Sequence, residues 1–297
     1  MPIGTDLVLH EQRDPERTAG DPEALGRVIE QAARRYRTPL AFAHMDLMRE
    51  KAALLTCLDI PAERVDTYHV SACPSEAEVA RVKTRLAGSL HPRLAVHVGA
   101  VAWVARHTDL VPIGMSIGPF SLMTKLLADP IPPVYLAGSG VTAEDDPEIR
   151  TLEALLDLSL QMVLRSVGAQ LDAGAKAVFI AEPAANSVYI SPKQLHAGSD
   201  VFERYVMQPN RQVKARLDQA GADLVFHCCG ELVDGIVRAF CRLHPVLLSL
   251  GSSRKLWEDA RLVPDDIVLF GNLPTKHFYS EDLTCAEVER LRRAAAA

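Results

Sequence analysis

The sequence lacks any run of apolar residues that reaches the roughly 18 needed to cross a membrane. It also lacks a basic excess, because 32 Lys and Arg stand against 38 Asp and Glu and give a net charge of −6. Proteins that bind nucleic acids typically carry a basic surface. We therefore expect no nucleic-acid partner and no membrane association.

Cysteine is sparse, with six in 297 residues, which is too few for a small domain held together by disulfides. The charged N-terminus contains no apolar segment of the kind found in secretory signals. Together these absences predict a cytoplasmic protein. No GxGxxG turn follows an early strand, which argues against a dinucleotide-binding domain.

The length of 297 residues suits one α/β barrel, which typically needs about 250. The composition, 48% hydrophobic and 24% charged, is that of a globular protein with a large core. Residues 1–38 are polar with helical patterns, and we interpret them as an N-terminal helical arm. Residues 39–297 are predicted to form the barrel domain.

From residue 39 onward, apolar segments alternate with helical patterns, which predicts a parallel sheet with helices between its strands. Nearly continuous apolar strands indicate a sheet buried on both faces, and about seven such units favour a closed barrel. The predicted strands are Pro39–Asp46, Arg64–Val70, Val111–Ile117, Ala175–Glu182, Asp223–Cys229, Pro245–Gly251 and Asp266–Asn272. The predicted helices between them are Leu47–Leu58, Ser75–Ala87, Leu94–Arg106, Glu148–Asp172, Asp200–Gln219, Glu231–Leu243 and Arg254–Ala260.

Polar residues recur at the C-terminal ends of these strands, the edge at which α/β barrels build their active sites. They are Asp46, Ser116, Glu182, His227, Cys229, Ser249 and Asn272.

The segment Phe226–Gly230 contains the sharpest local motif. In a strand, His227 and Cys229 face the same side, while Cys228 faces the other and packs as a small apolar residue. Imidazole and thiolate are preferred zinc ligands, so the pair predicts half of a zinc site. The alternative is a hydrogen-bonded core histidine with cysteines that fill the core.

Glu182 and Asp46 are the predicted catalytic residues. Glu182 follows a strongly apolar strand, and could be a metal ligand, a general acid or base, or a hydrogen-bonding partner of His227. The alternative for Glu182 is a solvated residue at the start of a loop. Asp46 shares a strand face with His44, and its alternative role is to cap the following helix.

Substrate binding is assigned to Asn186 and Tyr189, in the loop after Glu182, and to Ser116 and Asn272 at two other strand ends. For Asn186 and Tyr189, simple turn formation is the alternative. The scattered histidines are interpreted as structural or surface residues: His69, His97, His107 and His277.

The order of several segments resembles the uroporphyrinogen decarboxylase superfamily from about Pro39 to about Val288. These segments are GPF at 118–120, AGAKAVFIAEPAAN at 173–186, YISP at 189–192, DLVFHCCGE at 223–231, LSLG at 248–251 and VLFGNLP at 268–274. The HxCG element is the most specific, and it resembles the zinc-dependent branch that contains corrinoid:thiol methyltransferases. The resemblance implies a single (β/α)8 TIM-type barrel, either complete or with a shortened last unit, whose site lies at the C-terminal ends of the strands.

In that branch the histidine and cysteine of the motif bind Zn²⁺ together with a later cysteine, and the zinc holds a thiol as thiolate. The thiolate attacks a methyl group delivered by a methylated corrinoid on a partner protein. The resemblance therefore implies that His227 and Cys229 are zinc ligands and that the partners are a small-molecule thiol and a corrinoid protein. Members of the superfamily often form homodimers.

The later cysteine has no clear counterpart, because the single cysteine after Asn272 is Cys285, in a helix-start context. Glu182, Cys285 or a partner subunit are the candidates for the missing ligand. Two other functions stay open. One is metal-independent decarboxylation of a uroporphyrinogen-like tetrapyrrole, for which the arginines at 34–37 are the nearest match to the expected element. The other is a non-catalytic member that binds a corrinoid or a small ligand.

Overall fold

Six parallel strands form one sheet in the computed structural model, which describes residues 3–273 and 281–296. The strands are β1 (Leu40–Phe42), β2 (Val111–Ile117), β3 (Ala177–Ala181), β4 (Asp223–Cys228), β5 (Leu247–Leu250) and β6 (Val268–Phe270). Their order in the sheet is their order in the chain. The sheet curls into half of a barrel.

The helices alternate with the strands after an N-terminal group of three. They are α1 (Ile3–His10), α2 (Pro15–Ala19), α3 (Pro22–Arg35), α4 (Arg49–Cys57), α5 (Glu76–Leu86), α6 (Pro92–His107), α7 (Pro119–Leu126), α8 (Ile131–Gly138), α9 (Pro147–Asp172), α10 (Pro192–His196), α11 (Gln208–Gln219), α12 (Asp234–Cys241), α13 (Leu256–Asp259) and α14 (Glu281–Ala296). Within residues 3–273 and 281–296, every helix is too short or too polar to cross a bilayer.

The sequence marks several helix starts with side chains that accept hydrogen bonds from the free N–H groups of the first turn. Asp21 accepts from the Ala24 N–H at the start of α3, and Asp146 accepts from two N–H groups at the start of α9. Ser75 and Glu78 form a reciprocal capping box on α5. These caps fix the points at which the chain turns from loop into helix.

Six of the seven predicted strands are confirmed, although most are shorter than predicted. The strand predicted at Arg64–Val70 is wrong. A 3₁₀ turn at Ala62–Arg64 leads into this segment, and the Tyr68 N–H bonds to the Arg64 carbonyl four residues earlier. Local bonds of this kind replace a strand ladder. The described residues therefore form six strands, not the eight of a full (β/α)8 barrel.

The N-terminal helices pack directly on the sheet. Ile29 of α3 is 1% exposed and belongs to the main hydrophobic core. The Thr5 hydroxyl of α1 donates to the Phe42 carbonyl at 2.9 Å. Asp6 lies 3.1 Å from the His44 ring nitrogen. These contacts place α1 and α3 against β1, at one side of the open half barrel.

The strand register determines which side chains reach the inner face of the half barrel. In a parallel sheet, residues paired across neighbouring strands share a face. One row consists of Ile117, Ala181, His227, Ser249 and Phe270. The next row, on the opposite face, consists of Ser116, Ile180, Phe226, Leu248 and Leu269. The inner row thus brings His227 and Ser249 side by side.

The outer face is held by close apolar packing, which predicts a large effect of truncation there. Phe226 is fully buried and its ring lies 4.9 Å from that of Phe240 on α12. We expect Phe226→Ala to lower the free energy of unfolding by about 3–5 kcal/mol, measured by urea denaturation. Val268→Ala, at a β6 residue that is 61% exposed, is the control and should cost less than about 0.5 kcal/mol. Equal losses in the two variants would contradict the register.

Candidate functional site

A cavity of about 850 Å³ lies between the inner face of the sheet and helices α1 and α3. Its walls are mainly apolar, and they include both His227 and Cys229. The described residues that line it are Gly4, Thr5, Leu7, Ile29, Ala32, Ala33, Tyr36, Thr38, Leu40, Phe42, Phe179, His227, Cys229, Leu247, Leu250, Gly251, Ser252, Phe270, Gly271, Asn272 and Leu273.

His227 is one of three buried polar side chains among the described residues of the cavity wall, with Thr5 and Asn272. Its side chain is 3% exposed, and its Nδ1 lies 2.9 Å from the Ser249 hydroxyl on β5. The Phe179 ring lies beside the imidazole with centroids 5.4 Å apart. Burial lowers the pKa of His227 to about 3, so the ring is neutral at physiological pH. Its Nε2 is buried and has no hydrogen-bond partner among the described residues.

Cys229 follows β4 and lines the same cavity with an exposed side chain. Cys228, between the two, is buried on the other face and donates to the Ala185 carbonyl at 3.6 Å. This is the alternation that the sequence predicted. Gly251 allows β5 to approach, because a Cβ there would lie 2.4 Å from the Cys229 carbonyl oxygen. A side chain at Gly251 would therefore displace the Cys229 backbone.

The donor chemistry of the pair suits zinc, but the number of donors does not complete a site. A neutral imidazole nitrogen without a partner and a cysteine sulphur are both preferred zinc ligands, of which a protein site has three or four. In the described part of the chain, no three His, Cys, Asp or Glu side chains lie together as a metal-binding group. Neither Glu182 nor Cys285 therefore supplies the missing ligand in this structure.

Comparison with known proteins agrees with this fold. The family profile described as Uroporphyrinogen decarboxylase (URO-D) matches residues 9–296. The chain belongs to the uroporphyrinogen decarboxylase family. Among curated proteins, no sequence matches it. A methyltransferase from Methanosarcina mazei has a similar solved structure, with a TM-score of 0.65 and 16% identity over 99% of this chain and 82% of that one. At that identity the likeness shows the fold alone.

In this family member, Glu182 lies away from the cavity, beneath the start of α7. Its buried carboxylate accepts hydrogen bonds from the Phe120 and Ser121 N–H groups, at 3.2 and 2.8 Å, and from the Asn210 amide at 2.8 Å. Burial raises the pKa of Glu182, and these hydrogen bonds oppose the rise. A Cβ at Gly118 would lie within 2.3 Å of the carboxylate. The GPF segment thus wraps around Glu182, whose predicted catalytic role stays a prediction.

Asp46 also lies outside the cavity wall. It accepts from the Met48 N–H at 2.9 Å and pairs with Arg93 at 2.7 Å. Burial would raise the pKa of Asp46, but Arg49, the Met48 N–H and Arg93 outweigh it and lower the pKa. The side chain therefore organises the turn before α4 but does not cap the helix, whose N-cap residue is Met48 and which has no side-chain cap.

Of the four predicted substrate-binding residues, only Asn272 lines the cavity. Its amide donates to the Gly251 carbonyl at 2.9 Å and to the Arg254 carbonyl, so it ties β6 to the end of β5. Asn186 donates to the Pro183 carbonyl at 2.6 Å within its own loop. Tyr189 packs edge-on against Phe120. Neither Asn186 nor Tyr189 is part of the cavity wall, and Ser116 faces outward from β2.

Ser116 belongs to a buried polar cluster that the sequence did not reveal. Its hydroxyl and that of Ser166 both donate to Glu50 Oε1 at 2.9 Å. Glu50 is fully buried, and burial raises its pKa. Arg49, Glu50 and Lys51 lie within the predicted helix Leu47–Leu58, and their three charges give no sign in the sequence that the first turn of α4 lies inside the protein.

The histidines outside the motif divide as the sequence predicted. His97 is 1% exposed and bonds to Gln170 at 2.9 Å, whereas His69 and His107 are exposed. His277 lies outside the described residues. Ser249 is the site residue to which the sequence gave no role. Its position at a strand end was the available signal, and only the β4–β5 register shows that it contacts His227.

The two histidines of α6 predict a pH effect on stability. Burial, assisted by Arg49, lowers the pKa of His97 well below its ordinary value of 6.5. Below pH 6.5 the unfolded chain binds a proton there that the folded chain does not, so acidification destabilises the fold by up to about 1.4 kcal/mol per pH unit. We expect His97→Gln to flatten the dependence of the unfolding free energy on pH between 6.5 and 4.5. His107→Gln, on the same helix but exposed, should leave it unchanged, and a similar slope in all three proteins would contradict the burial of His97.

The placement of Glu182 predicts a structural effect of its replacement. Glu182→Gln replaces an acceptor oxygen by an amide nitrogen beside the N–H groups of α7, and we expect a loss of about 1–3 kcal/mol in unfolding free energy. Glu258→Gln, at an exposed carboxylate paired with Lys255, is the control with a loss below about 0.5 kcal/mol. Metal content should be unchanged in both. Unchanged stability with lost metal in Glu182→Gln would instead support the ligand role.

Proposed function

We propose that this protein transfers a methyl or small alkyl group to a thiol bound in the cavity. The proposal is carried by one observation: His227 Nε2, buried and without a partner among the described residues, shares an apolar cavity with Cys229. A nitrogen left unpaired in a buried position costs free energy unless a water, an ion or a ligand completes it, and this one faces a cavity that a ligand can enter. The resemblance of the HxCG motif to the thiol methyltransferase branch supports the same interpretation.

His227 and Cys229 would hold a zinc ion by Nε2 and Sγ, with the substrate thiol and a ligand from elsewhere as the remaining donors. When bound, zinc supplies the charge that converts a thiol to a thiolate at neutral pH. Ser249 positions the imidazole through Nδ1 and so selects which nitrogen faces the ion. Phe179 limits rotation of the ring from its other side.

In the proposed reaction, the thiol loses its proton to bulk water as it binds, because both nitrogens of His227 would be engaged, Nε2 by the ion and Nδ1 by Ser249. The sulphur then forms a bond to the methyl carbon. The bond between that carbon and the donor breaks, and its electron pair stays on the donor. A methylated corrinoid on a partner protein is the proposed donor. The apolar walls exclude water, which keeps the sulphur nucleophilic.

Decarboxylation of a tetrapyrrole is less well supported. Such a substrate carries several carboxylates and requires inward Arg or Lys residues. Among the described residues that line the cavity there are none. Arg34 pairs with Asp109, and Arg35 pairs with Glu11 at 2.6 Å, on the exposed surface. A non-catalytic ligand-binding role is favoured by one observation, the count of two metal donors instead of three.

The proposal predicts a selective loss of activity in one cysteine variant. With zinc supplied, methylcobalamin as donor and a thiol series as acceptors, Cys229→Ser should reduce thioether formation at least about 100-fold, because the weaker ligand leaves the thiol protonated. Cys73→Ser, at an exposed cysteine outside the cavity, is the control and should retain full activity. Methyl transfer that is unaffected in Cys229→Ser, or absent from the wild-type protein with every donor and thiol, would overturn the proposal.

A further inference from the structure

The cavity walls contain apolar side chains from both the sheet and the helices. Phe42, Phe179, Leu247 and Phe270 contribute from four strands, and Ile29 contributes from α3. No Asp, Glu, Lys or Arg occurs among the described residues that line the cavity. A charged group placed deep in it would therefore meet no side chain of opposite charge there.

Three polar side chains of these walls, those of Thr5, Thr38 and Asn272, are already bonded to the backbone. Thr5 donates to the Phe42 carbonyl, and the Thr38 hydroxyl accepts from the Leu40 N–H at 3.1 Å. The Asn272 amide nitrogen is shared between two carbonyls. Among the described residues that line the cavity, His227 Nε2 is the buried side-chain nitrogen or oxygen without a hydrogen-bond partner. The cavity therefore offers one buried polar end, two exposed hydroxyl groups, those of Tyr36 and Ser252, and otherwise apolar contact.

We infer that the acceptor is an uncharged thiol with a bulky hydrocarbon or aromatic substituent, an inference that rests on the proposed function. The sulphur would lie at His227 and Cys229, with the substituent against Phe179, Leu247 and Ile29. A carboxylate, sulfonate or ammonium on that substituent would lose its hydration without a counter-charge, which is costly. A neutral hydrocarbon gains free energy from the same burial.

The size of the cavity supports a large substituent. A volume of about 850 Å³ lies in the upper part of the range of roughly 300–1,000 Å³ that accommodates drug-sized ligands. A thiol of only a few heavy atoms would leave most of the apolar wall in contact with water. We therefore expect the preferred thiol to be large as well as uncharged.

The test uses two thiols of similar shape, 4-tert-butylbenzyl mercaptan and 4-(mercaptomethyl)benzoate, and their S-methyl thioethers. Binding of the thioethers is measured by calorimetry, which needs no turnover, and methyl transfer to the thiols is measured separately with methylcobalamin. We expect the neutral thioether to bind on the order of 10- to 100-fold more tightly than the carboxylate. 2-Mercaptoethanol, small and neutral, should be a poorer acceptor than the neutral aromatic thiol.

Two variants connect the preference to this cavity. Leu7→Arg places a cation on the wall at a residue that is 49% exposed, so folding should be unaffected. It should reduce the ratio of the two dissociation constants, that of the carboxylate over that of the neutral thioether, by about 2- to 5-fold. Leu247→Arg, deeper in the wall, should narrow it further. Val188→Arg, exposed and outside the cavity, is the matched control and should leave the preference unchanged.

The outcomes separate the inference from the proposed function. If the neutral thioether binds preferentially and the Leu7→Arg variant narrows the preference, but no thiol is methylated, the proposed function fails and the description of the cavity stands. If methyl transfer occurs and the carboxylate thiol is bound equally well or better, the inference fails and the function stands. Absence of binding by either thioether up to its solubility limit overturns the inference.

Discussion

The pairing of His227 with Ser249 across β4 and β5 is the contact on which the site depends. In a parallel sheet, register decides which side chains share a face, and a shift by one residue would exchange the two faces. The observed register places His227 on the inner face, with its Nδ1 at the Ser249 hydroxyl and its Nε2 without a partner in residues 3–273 and 281–296. Cys229, two residues on, reaches the same cavity. The register between β4 and β5 therefore determines the site more than the local His-Cys motif does.

On the opposite face of the sheet, buried polar groups hold the helices in place and do not line the cavity. Glu182 accepts the free N–H groups at the start of α7, and Glu50 accepts two serine hydroxyls from β2 and α9. Both carboxylates are fully buried and both have a raised pKa because of that burial. Buried carboxylates of this kind fix the helices against the sheet, and they are as costly to leave unpaired as those of an active site. Burial and a shifted pKa alone therefore do not identify catalytic groups here.

Much of the architecture was predictable from the sequence, because apolar segments such as Ala177–Ala181 have a composition typical of strands buried on both faces. The strand proposed at Arg64–Val70 failed because a short alternating pattern does not distinguish a strand from a packed loop. For the site, the sequence predicted that His227 and Cys229 share a strand face. It did not show on which face of the sheet Ser116 and Glu182 lie. A strand-end residue faces inward or outward according to the register with its neighbours, and a single sequence does not contain that register.

The cavity links the architecture of the half barrel to the proposed chemistry. It lies where the open side of the half barrel meets α1 and α3, so helices from the N-terminal segment form part of its wall. Apolar residues there exclude water and charged groups. The polar groups of His227 and Cys229 lie at one end of the cavity, so a ligand would bind with its sulphur at that end. The proposed methyl transfer to a thiol and the proposed preference for a bulky neutral acceptor both follow from this division.

The central claim is that His227 and Cys229 act on one metal centre. Titration with Co²⁺, which replaces zinc and absorbs light, tests it most directly, with wild type compared with Cys229→Ser and His227→Asn. We expect the wild-type protein to bind one ion per chain, with a thiolate-to-cobalt absorption band that is lost in Cys229→Ser. Cobalt should bind more weakly to His227→Asn. Wild-type protein that binds no cobalt, or that binds it identically in all three forms, would contradict it.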